Sequence, residues 1–538
     1  MSHAPIDITI IGGGLTGLNC AYMLHKRMPN KTITVLEKGE RVIGLTSATS
    51  TGGFRNFFQN SRPMTNLANR SIDLLAEYAA ASRGTRHEFM MNQCGYIFLS
   101  AQSDQIERYK KQAEAAKDCG SGDIRYNGHP YNPADPNEDY SSENFNFELY
   151  KTYQDGIDLI DDPAVILKLV PDCVNKEVRC MFHVRKAGYL DVEGLGEHTC
   201  HEPTQTSPCD AYNFNTREFL LNILESFPNI TILTDATVTA INYTIENNTR
   251  HVSSVEIRDQ DGVEKEIKTR SVVMCPGPYL KQVGEMAGVD FPVINEIHGK
   301  AIISDPDGLI PPAPEAPFLF WSDPITISIT PEERELIRAN PERYGYLERP
   351  IGTGLHVRPL SGRDNDRAGQ GRKFVGIWTY DLTFTTLTPP PFPPKLTPLY
   401  APIVLRGLTS MIPSVSTYAQ PSSPSAKHPL DLHSTRVSIY AGYYCKTSRN
   451  LPIIGPITRL GSGQRVGARV SGLFVCAAFS GFGVMNGPGL AEVLAGHVEG
   501  WVRAAEAEVP WYASEFSLER VREMDIGFGG ENVKEGQL

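Results

Sequence analysis

The chain has 538 residues, 41% hydrophobic and 21% charged, and a formal net charge of −11 at pH 7. That composition belongs to a globular protein with a sizeable core, and the length suggests several domains rather than one. The acidic balance excludes a general nucleic-acid binder, which would present a basic face.

The first element is an apolar, β-branched run through Ile6, Ile8, Ile10 and Ile11. Gly12-Gly13-Gly14-Leu15-Thr16-Gly17 follows directly, and a helical pattern then runs from Leu15 to Met28, stopped by Pro29 and Asn30. Ile33 to Leu36 is a second strand and ends on Glu37. Each piece has a mechanical reason in a dinucleotide site. Gly12 permits the tight turn, Gly14 lets backbone approach a pyrophosphate, and Gly17 lets the helix pack close to the sheet. The helix N-terminus offers unpaired N–H groups to phosphate. Glu37 stands where an acid accepts hydrogen bonds from a ribose, with Lys38 beside it.

Residues 44–59 are dense in hydroxyls and glycine and end on Phe54-Arg55-Asn56-Phe57-Phe58, a loop suited to donating hydrogen bonds to phosphate and to a flavin edge. Residues 62–82 read as a helix, 94–99 as a strand, and 103–117 as a solvent-facing helix with Ser103 as N-cap. Residues 120–147 show no period and read as an irregular insertion. His198, Cys200, His201 and Cys209 cluster, but at no spacing that matches a zinc site, and no metal is expected. A helix is expected over 215–227, a hairpin over 252–267, and a buried strand over 271–275 ending at Pro276-Gly277-Pro278. Short strands and proline loops fill 291–385, a proline-dense extended loop covers 388–398, and a short helix runs from Val404 to Met411. A strand over 436–444, a last buried strand over 473–478 and a helix from Gly489 to Ala507 close the chain.

Ten cysteines form no CxxC pair, and Cys275 and Cys476 sit in apolar strand-like runs, which indicates reduced thiols in the cytoplasm. No basic and apolar leader precedes the first strand, no apolar run approaches the ~18 residues of a membrane span, and the C-terminal Gly-Gln-Leu is not an SKL-type address.

Four blocks resemble the D-amino acid oxidase and glycine/sarcosine oxidase superfamily. They are Ile11 to Gly17 with Glu37; Ser47-Ala-Thr-Ser-Thr-Gly-Gly-Phe-Arg55; Val272-Val-Met-Cys-Pro-Gly-Pro-Tyr279; and the stretch from Gly442 through Thr447 and Pro452-Ile-Ile-Gly-Pro456 to Phe479-Ser-Gly-Phe-Gly483. The resemblance implies an α/β chain with a discontinuous Rossmann-like FAD-binding domain (1–90, 186–292 and 436–538) and an inserted mixed-β substrate domain (91–185 and 293–435). Ser47, Gly52, Gly53, Arg55 and Gly277 would contact the cofactor, and Val238 would lie against the adenine. Gly481, Phe482, Gly483 and Val484 would bring backbone close to the flavin, with the dipole of the following helix aimed at its negative end.

The implied reaction moves hydride from the carbon beside an amine onto flavin N5, giving an imine. The partners are then an amine or amino acid and either oxygen or an electron carrier. Gly442 occupies the place of the cysteine that attaches flavin in monomeric sarcosine oxidases, and Cys445 is three residues away, so noncovalent FAD is expected. Met485 and Phe58 replace the lysine and arginine that hold the substrate carboxylate. Either Arg358 or Lys300 takes over that task, or the substrate is not a simple amino acid. His298 falls where a substrate-facing tyrosine would be. A flavin monooxygenase should carry "GADG" and "GDAAH" turns where this chain has Met274-Cys-Pro-Gly-Pro278 and Ala477-Ala-Phe-Ser-Gly-Phe-Gly483. A non-enzymatic FAD-keeping assembly factor is the other alternative.

Overall fold

The computed structural model describes residues 5–525 except 86–87, 89, 136–139, 191–219, 222, 314–315, 361–371, 381–383, 386, 421–428, 431–436 and 462–466. The His198–Cys209 cluster and the start of the helix expected at 215 lie outside the described residues.

Apolar, β-branched runs buried on both faces build a parallel sheet. Its strand order is Ile230–Leu233, Ile33–Leu36, Ile8–Ile11, Val272–Met274 and Leu473–Ala477, with Ile453–Pro456 added antiparallel at one edge. Helices Leu15–Arg27 and Gly483–Arg503 pack against each other in the apolar cluster that covers this sheet. The first turn is tight enough to require glycine: Gly12 has φ +109°, and a Cβ there would lie 2.3 Å from the Cys275 carbonyl oxygen. The hairpin expected over 252–267 is the pairing of Thr249–Arg258 with Glu264–Lys268, in a sheet that also holds Thr237–Glu246.

A larger mixed sheet is built on Ile294–Asp305, Arg372–Ile377, Leu355–Pro359, Phe318–Trp321, Tyr96–Ser100 and Cys180–Val184, with further short strands beyond. The strand Val437–Lys446, which a division at residue 436 would place with the cofactor segments, runs antiparallel along Ile294–Asp305 in this sheet. Alternation and register put His298, Lys300, Ile377, His356, Arg358, Phe320, Phe318, Phe98 and Tyr96 on one face. The opposite face carries Ala301, Ile303, Leu319, Val357 and Phe374, packed with helix Tyr400–Met411.

Several expected element boundaries shift. The last long helix begins at Gly483, six residues before Gly489, with Pro488 inside it. Gly487, Pro488 and Gly489 act locally as breakers, but burial overrides them. A Cβ on Gly489 would meet Ser71 and Leu67 at 3.1–3.2 Å, so glycine there permits close helix packing. The helix before Pro413 starts at Tyr400 rather than Val404; Pro402 sits in its first turn, where its missing N–H is not needed. The helix expected at Ser103 begins at Gln105, and its N-cap is Asp104 with no side-chain cap bond. Residues 120–147, expected to be irregular, contain the short strands Ile124–Tyr126 and His129–Pro130, the second of them at the edge of the mixed sheet. Among the described residues no helix is long and apolar enough to cross a membrane.

Candidate active site

The site starts at the N-terminus of helix Leu15–Arg27. Gly14 caps it without any side-chain hydrogen bond, and a Cβ on Gly14 would meet only the Ser47 hydroxyl, at 3.3 Å. The Leu15 N–H donates to the Ser47 hydroxyl at 3.3 Å, and the rest of the first turn presents its backbone N–H groups beside an open cradle, as phosphate binding requires. Glu37 is buried and fixes the turn from beneath: its two carboxylate oxygens accept from Gly13 N and Gly39 N, each at 2.9 Å. Each oxygen keeps acceptor capacity for a further donor. The Lys38 ammonium lies 3.3 Å from the centre of the Tyr279 ring. Val238 is buried opposite Ile257, in the apolar cluster that holds Ile11 and Leu36.

From this cradle a cleft opens between the turns of the parallel sheet and the face of the mixed sheet. Leu15, Thr16, Ser47, Gly53, Gly277, Gly481, Gly483 and Val484 line one side; His298, Lys300, Ile377, Gly442, Tyr444 and Cys445 line the other. Helix Gly483–Arg503 enters the cleft with its N-terminus, again with no side-chain cap. Its dipole begins at the glycine turn itself, closer to the cleft than a start at Gly489 would place it.

Lys300 and Arg358 are both committed to the loop that carries Ser47. Lys300 Nζ donates to the Ser50 carbonyl at 2.9 Å. Arg358 Nε and Nη2 donate to the Thr51 carbonyl at 3.0 and 2.6 Å, and Nη1 donates to the Pro359 carbonyl at 2.8 Å. Arg358 is fully buried and stacks its guanidinium 4.8 Å from the Tyr189 ring centre. These two cations hold the loop against the mixed sheet by its carbonyl groups. Lys300 also lines the cleft, whereas Arg358 is not among its lining residues.

His298 faces the cleft and stacks on Tyr444, ring centres 3.6 Å apart and planes at 15°. Its Nε2 lies 2.6 Å from Glu296 Oε1, and its Nδ1 is 3.1 Å from the Thr379 hydroxyl. Of the two neutral tautomers, the one that satisfies both contacts has Nε2–H donating to Glu296 and Nδ1 accepting from Thr379. Burial holds the imidazole pKa below its ordinary value, against the pull of the Glu296 carboxylate. Burial raises the Glu296 carboxyl, but the His298 hydrogen bond and the Lys446 ammonium, at 2.8 Å, outweigh it and hold the group at about 2. The ionised pair Glu296–Lys446 thus anchors a neutral histidine. Glu296 and Thr379 escaped the sequence reading, and Tyr444 and Lys446, although inside the fourth block, were given no role there. The period of two in Glu296-Ile-His298-Gly-Lys300 was the signal for Glu296, because alternate strand residues share a face.

Gly442 is held close under the loop: a Cβ there would sit 2.5 Å from Thr49 Oγ1. The Cys445 thiol is buried and its pKa is pushed up to about 12 by desolvation. Met485 is buried in the core, and Phe58 packs edge-on against Phe482 with ring centres 5.2 Å apart. Among the described residues no group of histidine, cysteine, aspartate and glutamate is placed to hold a metal ion.

The residues present fit a dinucleotide cofactor: a helix N-terminus beside the Gly14 cradle with no cap side chain of its own, the buried Glu37, and the N-terminus of Gly483–Arg503 farther along the same cleft. Residues 7–206 and 210–496 match the model of the DAO family, FAD dependent oxidoreductase. The chain belongs to this family. It is an FAD-dependent oxidoreductase, and its fold is shared by solved structures of low sequence identity. L-proline dehydrogenase from P. horikoshii has 18% identity and a TM-score of 0.60, over 97% of this chain and 100% of that one. Glycine oxidase from Geobacillus kaustophilus has 14% identity and a TM-score of 0.60, over 96% and 99%. L-amino acid deaminase from Proteus myxofaciens has 17% identity and a TM-score of 0.56, over 96% and 94%. No curated protein matches the chain.

Proposed function

We propose that this oxidoreductase removes hydride from the carbon beside the nitrogen of a small amine or amino acid, leaving an imine that hydrolyses in water. FAD, when bound, supplies the two-electron acceptor, and oxygen or an electron carrier completes the turnover. The observation that carries this reading is a single cleft in which the cofactor-side turns at Leu15–Thr16 and Gly481–Val484 face His298, Tyr444 and Ile377 of the mixed sheet.

The side chains position and insulate rather than exchange protons. The His298–Tyr444 stack forms a flat polar wall, Ile377 and Val484 keep the cleft partly apolar, and Lys300 and Arg358 keep the Ser47 loop in place. Both His298 nitrogens are occupied, so the amine loses its ammonium proton to solvent before the carbon–hydrogen bond breaks. Gly442 under Thr49 leaves no room for an attaching side chain and supports noncovalent FAD.

The experiment is an anaerobic screen of amines, amino acids and hydroxy acids for loss of the flavin absorbance band. Glycerol 3-phosphate joins the hydroxy acids as an alcohol arm because L-alpha-glycerophosphate oxidase from Mycoplasma pneumoniae shares the fold, with a TM-score of 0.55. Bleaching by an amine or amino acid supports the reading, and bleaching by a hydroxy acid or glycerol 3-phosphate alone overturns it.

A further inference from the structure

The face of the mixed sheet that borders the cofactor cleft continues past it. Register places Ile377, His356, Phe320, Phe98 and Phe182 in one row across adjacent strands. Ile377 lines the cofactor cleft, whereas Phe320, Phe98 and Phe182 line a second pocket, and the two linings share no residue. His356 stands between them in the row and stacks on Phe320, ring centres 4.6 Å apart and planes at 20°. At the usual strand spacing Phe98 is about 14 Å along the row from Ile377. A small substrate held in the cleft does not reach it.

The floor of the second pocket is apolar and aromatic. Phe98 and Phe320 stack with ring centres 4.6 Å apart and planes at 26°, and Phe182 meets Phe98 edge-on at 5.6 Å. Helix Gln105–Cys119 flanks this floor and buries Ile106, Tyr109, Ala113 and Ala116, as an amphipathic helix should. Beside that stripe Gln105, Arg108 and Gln112 line the pocket, at the spacing of one helix face. Polar side chains thus border a floor that apolar ones would close. Among the described residues none of the three side chains has a hydrogen-bond or ion-pair partner. Arg108 is the charged member of the lining, and its neighbour Glu107 is taken by Lys110 at 2.9 Å.

We propose that this pocket is a second ligand site, separate from the cofactor cleft, that takes a flat aromatic carboxylate. An apolar floor with a few convergent polar groups is the usual make-up of a small-molecule site. The ring of the ligand lies against Phe98 and Phe320, where burial and stacking supply affinity. Its carboxylate takes the planar fork of Arg108, and the amides of Gln105 and Gln112 offer donors and acceptors at the ring edge. The site stands whatever the flavin oxidises.

The test is calorimetric titration of the FAD-loaded enzyme with indole-3-acetate and with its neutral analogue indole-3-acetamide, the flavin absorbance band being followed in parallel. Wild type should bind indole-3-acetate more tightly than the amide, with the flavin band unmoved at saturation. Arg108→Met, a change at an exposed position, should weaken the carboxylate on the order of 10-fold and leave the amide unchanged. Gln112→Trp should fill the pocket and abolish binding of both. Absence of binding to wild type at millimolar ligand overturns the proposal, and so does unchanged indole-3-acetate affinity in either variant. A flavin band that shifts in step with the heat also overturns it, because the ligand would then occupy the cofactor cleft.

Discussion

Gly442 and Thr49 touch across the cleft so closely that a Cβ on residue 442 would stand 2.5 Å from the Thr49 hydroxyl oxygen. Gly442→Ala should therefore destabilise the protein by about 1–3 kcal/mol through overpacking, read as a lower urea midpoint. Thr49→Ala in the same chain should restore most of it. Acid or heat denaturation of wild type should release intact FAD into the supernatant. A yellow pellet with a colourless supernatant would contradict noncovalent binding.

Glu296 carries a pH signature. Its folded pKa, about 2, lies below its ordinary value, so its contribution to stability is fully present above about pH 4.5 and is lost as pH falls toward 2. Glu296→Gln leaves the buried Lys446 without its carboxylate. It should cost on the order of 3 kcal/mol at pH 7. The gap to wild type should narrow as pH drops from 4.5 toward 2. Urea midpoints measured across that range would show a constant gap if the carboxylate were not the source.

Gly14→Val should abolish FAD binding. The cradle at Gly14 is bounded only by the Ser47 hydroxyl at 3.3 Å, so a branched side chain would fill it and displace the first turn. Normal flavin occupancy in purified Gly14→Val would show that this cradle does not hold the cofactor.

Arg358 should matter for FAD affinity more than for direct substrate contact, because its guanidinium is spent on the Thr51 and Pro359 carbonyls. Arg358→Met leaves those acceptors unmet and frees the Ser47 loop. We expect destabilisation of about 1–3 kcal/mol and FAD affinity weaker by on the order of 10-fold, measured by equilibrium titration of the apoprotein. A change confined to substrate KM would reassign Arg358 to the substrate.

With both His298 nitrogens engaged, the rise of kcat/KM with pH should follow the ammonium pKa of the substrate. Two substrates whose amine pKa values differ by about 2 should shift the profile by about the same amount. An inflection fixed near pH 6–7 for both would identify a titrating histidine instead.

The sequence alone determined the cofactor half. Gly12, Gly14, Gly17 and Glu37 belong to one continuous strand–turn–helix–strand unit, and local sterics demand glycine at its turn: a Cβ on Gly17 would lie 1.9 Å from the Gly12 carbonyl oxygen. Helices such as Arg62–Ser82, capped by Ser61, were legible for the same reason, since caps and periodicity are local. Burial overrode local signals at Gly487-Pro488-Gly489, where packing against Ser71 and Leu67 carries a helix through three apparent breakers. The substrate half was decided only by tertiary structure. Lys300 and Arg358 are free cations on paper; the approach of the Ser50–Thr51 carbonyls commits them to the loop. His298 becomes a doubly bonded ring because Glu296 of its own strand is joined by Thr379, just after strand Arg372–Ile377, and by Tyr444 of strand Val437–Lys446. Charge pairing and desolvation depend on what is within a few ångströms in space, and in a mixed sheet those neighbours come from segments tens to hundreds of residues away.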